Sequence, residues 1–383
     1  MPLSHTLSTS RRSATRPGMA RPVAVAMLYS SDWTDELRQY RCGEVPSHRL
    51  FGFAELEQLG HRVELWRTPG GLRKLLRSAS AWRTLQALWV TLRQRRYGCV
   101  VATTESPALP VLMLKAAGLL RRPVIVVSVA LLHAKYATGL RHVLWSRCIG
   151  RADAVLVYAA DQAAAVRARF DLATEKVVAV PLGVDTDFFF PEDGNERSSD
   201  SGEFVLSVGT NEGKDFATLM RAMPPGRALR VVTDARNAEV IARNSRRDVP
   251  VTVEQAVPIS RLRERYRAAR VHVIPLHEAP ISSGQTVLLE NMALGKAMIV
   301  SDVSGVRDYV EPGVTATVVP PGDVAALRKA IEDAFADPSA AARIGNAAAE
   351  AVRRHYSSWQ FATRLSELIN VASAPGRSGR VRS

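Results

Sequence analysis

The chain has 383 residues, 46% hydrophobic and 23% charged, a globular composition long enough for two domains that each bury a core. Lys and Arg number 51 against 37 acidic residues, a formal +14 that favours phosphate-bearing or anionic-membrane partners, although with only seven Lys a GC-rich coding sequence accounts for the bias equally well. Cys42, Cys99 and Cys148 are scattered and odd in number, which excludes a disulfide framework and a zinc site and reads as buried thiols in a reducing cytoplasm; the longest apolar run, 124–132, is too short to cross a bilayer.

Residues 1–20 are polar and dotted with arginine, lack the apolar segment of a secretory signal, and read as a disordered basic tail. A first domain is expected over 21–182. VAVAML from Val23 is a buried strand, 29–47 a polar loop, and HRLFGFAELEQLG from His48 an amphipathic helix that stops at Gly60 before another strand. Residues 72–97, opening at Leu72 and closing at Tyr97, alternate Leu, Trp and Val with arginines at helical spacing. Such a helix either lies on an anionic membrane or packs on a core with its arginines in water. GCVVATTE, RPVIVVSVA and ADAVLVYAA follow as β-rich runs, the last leading into a helix over 161–170. Strands alternating with helices predict an α/β doubly wound parallel sheet.

A Pro/Gly/Asp/Ser-rich linker is expected over 183–202. A second α/β series, over 203–369, runs through FVLSVGT, LRVVTD, VTVEQ, ARVHVIPL, AMIVSD and ATVVP. Residues 324–369 form a closing helical segment and 370–383 a flexible tail.

The richest segment is SSGQTVLLENMALGKAMIVSD, from Ser282 to Asp302: a small-residue loop, a short helix with one acidic residue, and a buried strand. A loop of Ser282, Ser283, Gly284 and Gln285 leading into Thr286 places free N–H groups at a helix N-terminus, which carries partial positive charge suited to phosphate. Glu290 lies about two turns further on, toward the same face, where a ligand's hydroxyls would meet it.

That segment resembles the donor-binding signature of retaining glycosyltransferases of family 4, which have the GT-B fold of two Rossmann-like domains facing across a cleft. PLGVDTDFFFPE resembles their interdomain linker, and GVRDYVEPGVTATVVPPGDVAALRKAIEDAFADP follows the family pattern closely. The resemblance covers about residues 22–370 and implies that the last helix crosses back onto the first domain. It also implies transfer of a sugar from a nucleoside-diphosphate sugar to a hydroxyl acceptor (glycolipid, envelope glycan or secondary metabolite). The donor is a co-substrate, no cofactor or bound metal is implied, and the enzyme works in the cytoplasm, with a peripheral place on the inner face of the cell membrane open to it.

On that basis Lys214, in the turn NEGKDF after a strand, resembles the family's phosphate-binding cation, and Glu290 its ribose-binding carboxylate; these two are the catalytic candidates. Gly209, Thr210 and the 282–286 loop complete the expected donor site. Two positions depart from the family: Ser282 stands where a first Glu is usual, and Thr210 where an Arg is common. Glu44, Ser47 and His48, after the first strand, and His133, after the 122–130 strand, are the acceptor-side candidates. Asp185 and Asp187 match a DxD metal motif but fall in the linker, and His277-Glu278 lacks the second His of a zinc-protease motif. No aromatic-basic module points to nucleic acid. A nucleotide-sugar 2-epimerase and a non-catalytic nucleotide-sugar-binding scaffold are the competing readings.

Overall fold

The computed structural model describes residues 21–67, 78–136, 138–190, 202–279 and 283–374. The expected tail at 1–20, Leu72 with the first residues of its basic stretch, much of the linker, Ser282, and most of the tail at 370–383 lie outside them.

The apolar runs of the first half become β1 (Ala24–Leu28), β2 (Arg62–Leu65), β3 (Cys99–Ala102), β4 (Val124–Val127), β5 (Ala154–Val157) and β6 (Val177–Ala179), in the order β2-β1-β3-β4-β5-β6. Every pairing is parallel. β3 and β4 are buried at each position because helices cover both faces of the sheet. Alternate side chains therefore enter opposite cores: Val100 and Val126 join one, Val101 and Val127 the other. The covering helices are α1 (Thr34–Arg41), α2 (Phe53–Gln58), α3 (Ala79–Leu92), α4 (Glu105–Ala116), α5 (Gly139–Cys148) and α6 (Ala160–Phe170).

Three expectations are corrected here. The polar loop 29–47 contains α1, whose acidic first turn and basic last turn suit the helix dipole while Leu37 is its one buried side chain, too little apolar pattern to read in advance. The helix expected from His48 is split: Ser47–Leu50 is a 3₁₀ turn, then Phe51 and Gly52 both take left-handed backbone, with φ of 54° and 83°. At Gly52 an added Cβ would lie 3.4 Å from Phe361, so the break brings the backbone close to the chain's last helix. Cys42 is exposed, whereas Cys99 and Cys148 are buried.

The second half forms β7 (Gly202–Val208), β8 (Ala228–Val232), β9 (Val251–Glu254), β10 (Ala269–Ile274), β11 (Met298–Ser301) and β12 (Thr317–Val319), in the order β12-β11-β10-β7-β8-β9 and again parallel. Its connecting helices are α7 (Phe216–Ala222), α8 (Ala235–Arg243), α9 (Ile259–Ala268), α10 (Gln285–Ala293) and α11 (Ser304–Arg307). The closing segment is helical as expected and comprises α12 (Val324–Ala336), α13 (Pro338–His355) and α14 (Ser358–Ser373). Asp337 caps α13 ahead of Pro338, and Ser357 with Gln360 forms a capping box at α14, each restarting the helix in a new direction. α14 then sends Phe361, Leu365 and Ile369 into the first sheet's core beside Leu50, Phe53 and Leu56. Each buried side chain of that kind contributes roughly 1.5–3 kcal/mol.

Two doubly wound domains thus face one another. Each sheet has one place where strand order reverses, between β1 and β3 in the first and between β7 and β10 in the second. In open α/β sheets that reversal opens a crevice at the carboxyl ends of the strands, where ligands bind.

Candidate functional site

The second crevice is built from the loops that leave β7 and β10. Lys214 N–H reaches the Asn211 carbonyl, Asp215 N–H donates to the Pro275 carbonyl at 3.0 Å, and His277 N–H to the Gly213 carbonyl at 3.0 Å, which zips the two loops together. Lys214 and Leu276 form an isolated bridge at this seam. The lysine is consequently 5% exposed rather than a solvated loop residue. Its side chain runs across Gly209, whose φ is 154° and where any Cβ would collide with it, so glycine is the residue that leaves room. Lys214 Nζ is buried without a hydrogen-bond partner among the described residues, and burial draws its pKa down to about 8. A buried ammonium with nothing to bond is costly unless an anion meets it. Thr210, by contrast, is exposed at the loop's start.

Beside this cation lies the N-terminus of α10. Its cap is Gly284, with φ of 86° and no side chain to satisfy the first-turn N–H groups. Ser283 donates from Oγ to Asn211 Oδ1 at 3.0 Å, and Asn211 Oδ1 also accepts Gly213 N–H at 3.1 Å, so the two loops hold each other in register. Gln285 is buried and donates to the Gly305 carbonyl at 2.7 Å, while Thr286 is exposed. Ser282 lies outside the described residues. The arrangement offers one buried ammonium and a row of backbone N–H groups, a cradle for a phosphate-bearing ligand.

At the next turn of α10 the accounting is different. Glu290 is 3% exposed and its carboxylate already has protein partners: Tyr266 donates to Oε2 at 2.9 Å, and His48 Nε2 stands 3.4 Å from Oε1. His48 belongs to the first domain. Its Nδ1 accepts Asp185 N–H at 3.1 Å, which places the ring proton on Nε2, toward Glu290. Asp185 in turn accepts Ser47 N–H at 2.7 Å on Oδ2, and the N–H groups of Asp187 and Phe188 on Oδ1. The Ser47 hydroxyl also donates to Glu55 and stands 3.2 Å from the Ser358 hydroxyl. Burial, and then the Glu290 charge, push the Tyr266 hydroxyl well above the usual tyrosine range, so it stays protonated and donating. Ser47 and His48 from one domain, Asp185 from the linker, and Glu290 and Tyr266 from the other form a single buried knot.

The domains also meet away from that knot. The Tyr309 hydroxyl donates to the Tyr158 carbonyl at 2.7 Å and accepts Leu182 N–H at 2.8 Å, and Ala160 N–H donates to Asp308 at 2.6 Å. His133 bonds across to Glu212, in the loop that carries Lys214, at 2.6 Å. Of the acceptor-side residues expected from sequence, His133 is therefore brought to the loop that carries Lys214 and Ser47 and His48 to the knot, while Glu44 is exposed in the turn after α1. Tyr266, Glu212 and Asn211 were not singled out in the sequence. Nothing in their local pattern marks them, since Tyr266 is one apolar position among the arginines of α9 and the other two are ordinary turn residues.

Residues 19–183 match the family model described as "Glycosyl transferase 4-like domain", and residues 203–337 the one described as "Glycosyl transferases group 1". Among curated proteins, the α-maltose-1-phosphate synthase of Mycobacterium tuberculosis is 32% identical over 115 residues, 28% of this chain and 29% of that protein. The GDP-mannose-dependent α-(1-6)-phosphatidylinositol monomannoside mannosyltransferase of Mycolicibacterium smegmatis is 29% identical over 219 residues, 51% of this chain and 55% of that protein. The matched segments thus span from under a third to about half of those relatives. Among solved structures, sucrose-phosphate synthase from Thermosynechococcus elongatus superposes with a TM-score of 0.69 at 20% identity, covering 90% of this chain and 98% of that one. Anabaena HepE in complex with UDP-glucose does so with a TM-score of 0.64 at 19% identity, with the same coverage of both chains, 90% and 98%. At these identities the likeness is one of fold.

Proposed function

Because the chain belongs to the group 1, family-4-like glycosyltransferases of GT-B fold, we propose that it moves a sugar from a nucleoside-diphosphate sugar onto a hydroxyl acceptor with retention of configuration. The observation that carries this reading is Lys214 Nζ: buried, without a partner among the described residues, and set beside the glycine-capped start of α10.

Breaking the bond between the anomeric carbon and the diphosphate leaves negative charge on the departing phosphate. Preorganised donors at that point lower the barrier. Lys214 and the backbone N–H groups from Ser283 to Thr286 serve there, with Gly209 and Gly284 keeping the backbone close. Attack on the same face as the leaving group, assisted by its own phosphate, requires no enzymic nucleophile. Glu290 takes the ribose hydroxyls: a carboxylate has about four acceptor positions, of which the Tyr266 hydroxyl fills one while His48 stands against another. The first domain presents the acceptor, and closure of the two domains over the cleft keeps water from the donor. Donor hydrolysis and transfer measured for Lys214→Met test this directly. Unchanged activity would place the chemistry elsewhere. A thermal-shift series with UDP-, GDP- and dTDP-hexoses identifies the donor, because only a ligand that prefers the folded state raises the melting point.

A glycolipid acceptor at an anionic membrane face is the second part of the proposal, and α3 supports it. Leu92 is 86% exposed and Leu88 40% exposed, next to exposed Arg93 and Arg95. No described helix is long and apolar enough to cross a membrane. Co-sedimentation with phosphatidylglycerol vesicles but not phosphatidylcholine vesicles, lost in Leu92→Glu, is the expected result.

A further inference from the structure

The loop over 209–214 supplies a single cation, Lys214, to a ligand whose diphosphate carries two or more negative charges, and Thr210 adds none. Two further basic side chains converge on that loop from outside. Arg236, in the first turn of α8, places Nη1 3.5 Å from Glu212 Oε2, and His133, from the opposing domain, bonds Glu212 Oε1 at 2.6 Å. The start of α8 is fixed against the loop: Thr233 donates to the Gly209 carbonyl at 2.6 Å, Gly209 N–H to Val232 at 3.0 Å, and Asn237 Nδ2 to the Asn211 carbonyl at 3.4 Å. We propose that Arg236 is the second cation for the donor's diphosphate, and that Glu212 is a stand-in anion occupying Arg236 and His133 until the nucleotide arrives.

This rests on the donor-site reading above and goes beyond it. The Arg236–Glu212 contact has little worth as a stability device, since the side chains are 71% and 45% exposed and such pairs are heavily screened. Its location explains it better. One carboxylate faces two basic groups two residues away from a buried ammonium that has no partner among the described residues, so the cluster holds surplus positive charge. His133 and Arg236 hold the Glu212 carboxyl below its usual range, His133 foremost, so it is ionised whenever a nucleotide competes with it. A diphosphate entering beside Lys214 displaces the weaker single carboxylate, takes up Arg236 and frees His133 on the facing domain.

Opposite signs make the test decisive. Dissociation constants for UDP, GDP and dTDP are measured by calorimetry at two salt concentrations, with the matching nucleosides as controls, for the intact protein and for Lys214→Met, Arg236→Gln and Glu212→Gln. Arg236→Gln should weaken nucleoside-diphosphate binding by about three- to fivefold and flatten its salt dependence, whereas Glu212→Gln should tighten it by a similar factor, with nucleoside binding unmoved. Both side chains are exposed, so the variants fold. Weaker or unchanged binding in Glu212→Gln, as a plain interdomain strut would give, or unchanged binding in Arg236→Gln, overturns the proposal. If Lys214→Met is also silent, or no diphosphate binds the intact protein, the donor-site reading itself has failed.

Discussion

The two ends of α10 lie about two turns apart at most and face the same cleft, yet they are opposites in hydrogen-bond accounting. At its start, Lys214 Nζ is buried with no partner among the described residues, and a glycine cap offers no side chain to the first-turn N–H groups. One turn and a half on, Glu290 is buried with Tyr266 and His48 on its two oxygens. A buried charge lacking a partner is costly unless something outside the chain meets it, while a buried charge held by groups from both halves of the chain also ties the chain together. The first end is a socket and the second a joint.

The strongest attempt to break that contrast is Glu290→Leu. It strands the Tyr266 hydroxyl and the His48 ring in the interior, and loss of one member of a buried charged cluster typically removes about 3–5 kcal/mol. Urea unfolding should show a loss of that size alongside the weaker nucleotide binding that follows from losing the ribose contact; unchanged stability would mean that Glu290 does not act as a joint. Lys214→Met should go the other way, losing about a hundredfold or more in turnover, as removal of one charge-stabilising donor does, while gaining stability. Here the sign follows from the folded pKa of about 8, which is below the ordinary lysine value. Folding then penalises the charged form at lower pH, and the penalty fades as pH rises from about 8 toward the unfolded value near 10.4. Thermal melts should find the methionine variant more stable than its parent by roughly 3 kcal/mol at pH 7, with the gap closing at alkaline pH.

Ligand binding sharpens the same point. Above pH 8 the socket's lysine is neutral in the free protein and must take up a proton to meet a diphosphate. Affinity for UDP or GDP should therefore fall by up to about tenfold per pH unit above that value, with proton uptake visible when calorimetry is repeated in buffers of different ionisation enthalpy. Flat affinity from pH 7 to 10 would mean that the diphosphate does not meet Lys214. The smallest effect belongs to Tyr266→Phe, which removes one donor from the joint and leaves the other: about 1–2 kcal/mol in unfolding free energy and no change in nucleotide affinity are expected.

The sheets were legible in the chain because strands covered on both faces need apolar side chains at every position, and CVVA, VIVV and AVLV say so without any tertiary information. Lys214 was legible by place, following a strand in a short turn. Its burial was not, because NEGKDF is polar throughout and only the seam with Leu276 and the gap at Gly209 enclose it. The joint was illegible for a different reason. His48 and Glu290 were assigned to opposite substrates because each was read against its own strand and helix, and their meeting depends on how the two halves close. Asp185 drew notice only as half of a DxD pattern to set aside, although its carboxylate and N–H tie the linker to Ser47 and His48. The breaks at Phe51 and Gly52 depend on contact with Phe361 and leave no local trace beyond the glycine.

The return of α14 to the first domain has a consequence for biosynthesis. Phe361, Leu365 and Ile369 complete a core whose other buried members all lie between Val25 and Val180, so that core waits for the whole second domain to leave the ribosome. Until then the first domain presents an apolar face around Leu50, Phe53 and Leu56. Domains that usually fold in the order they are synthesised are here obliged to finish together.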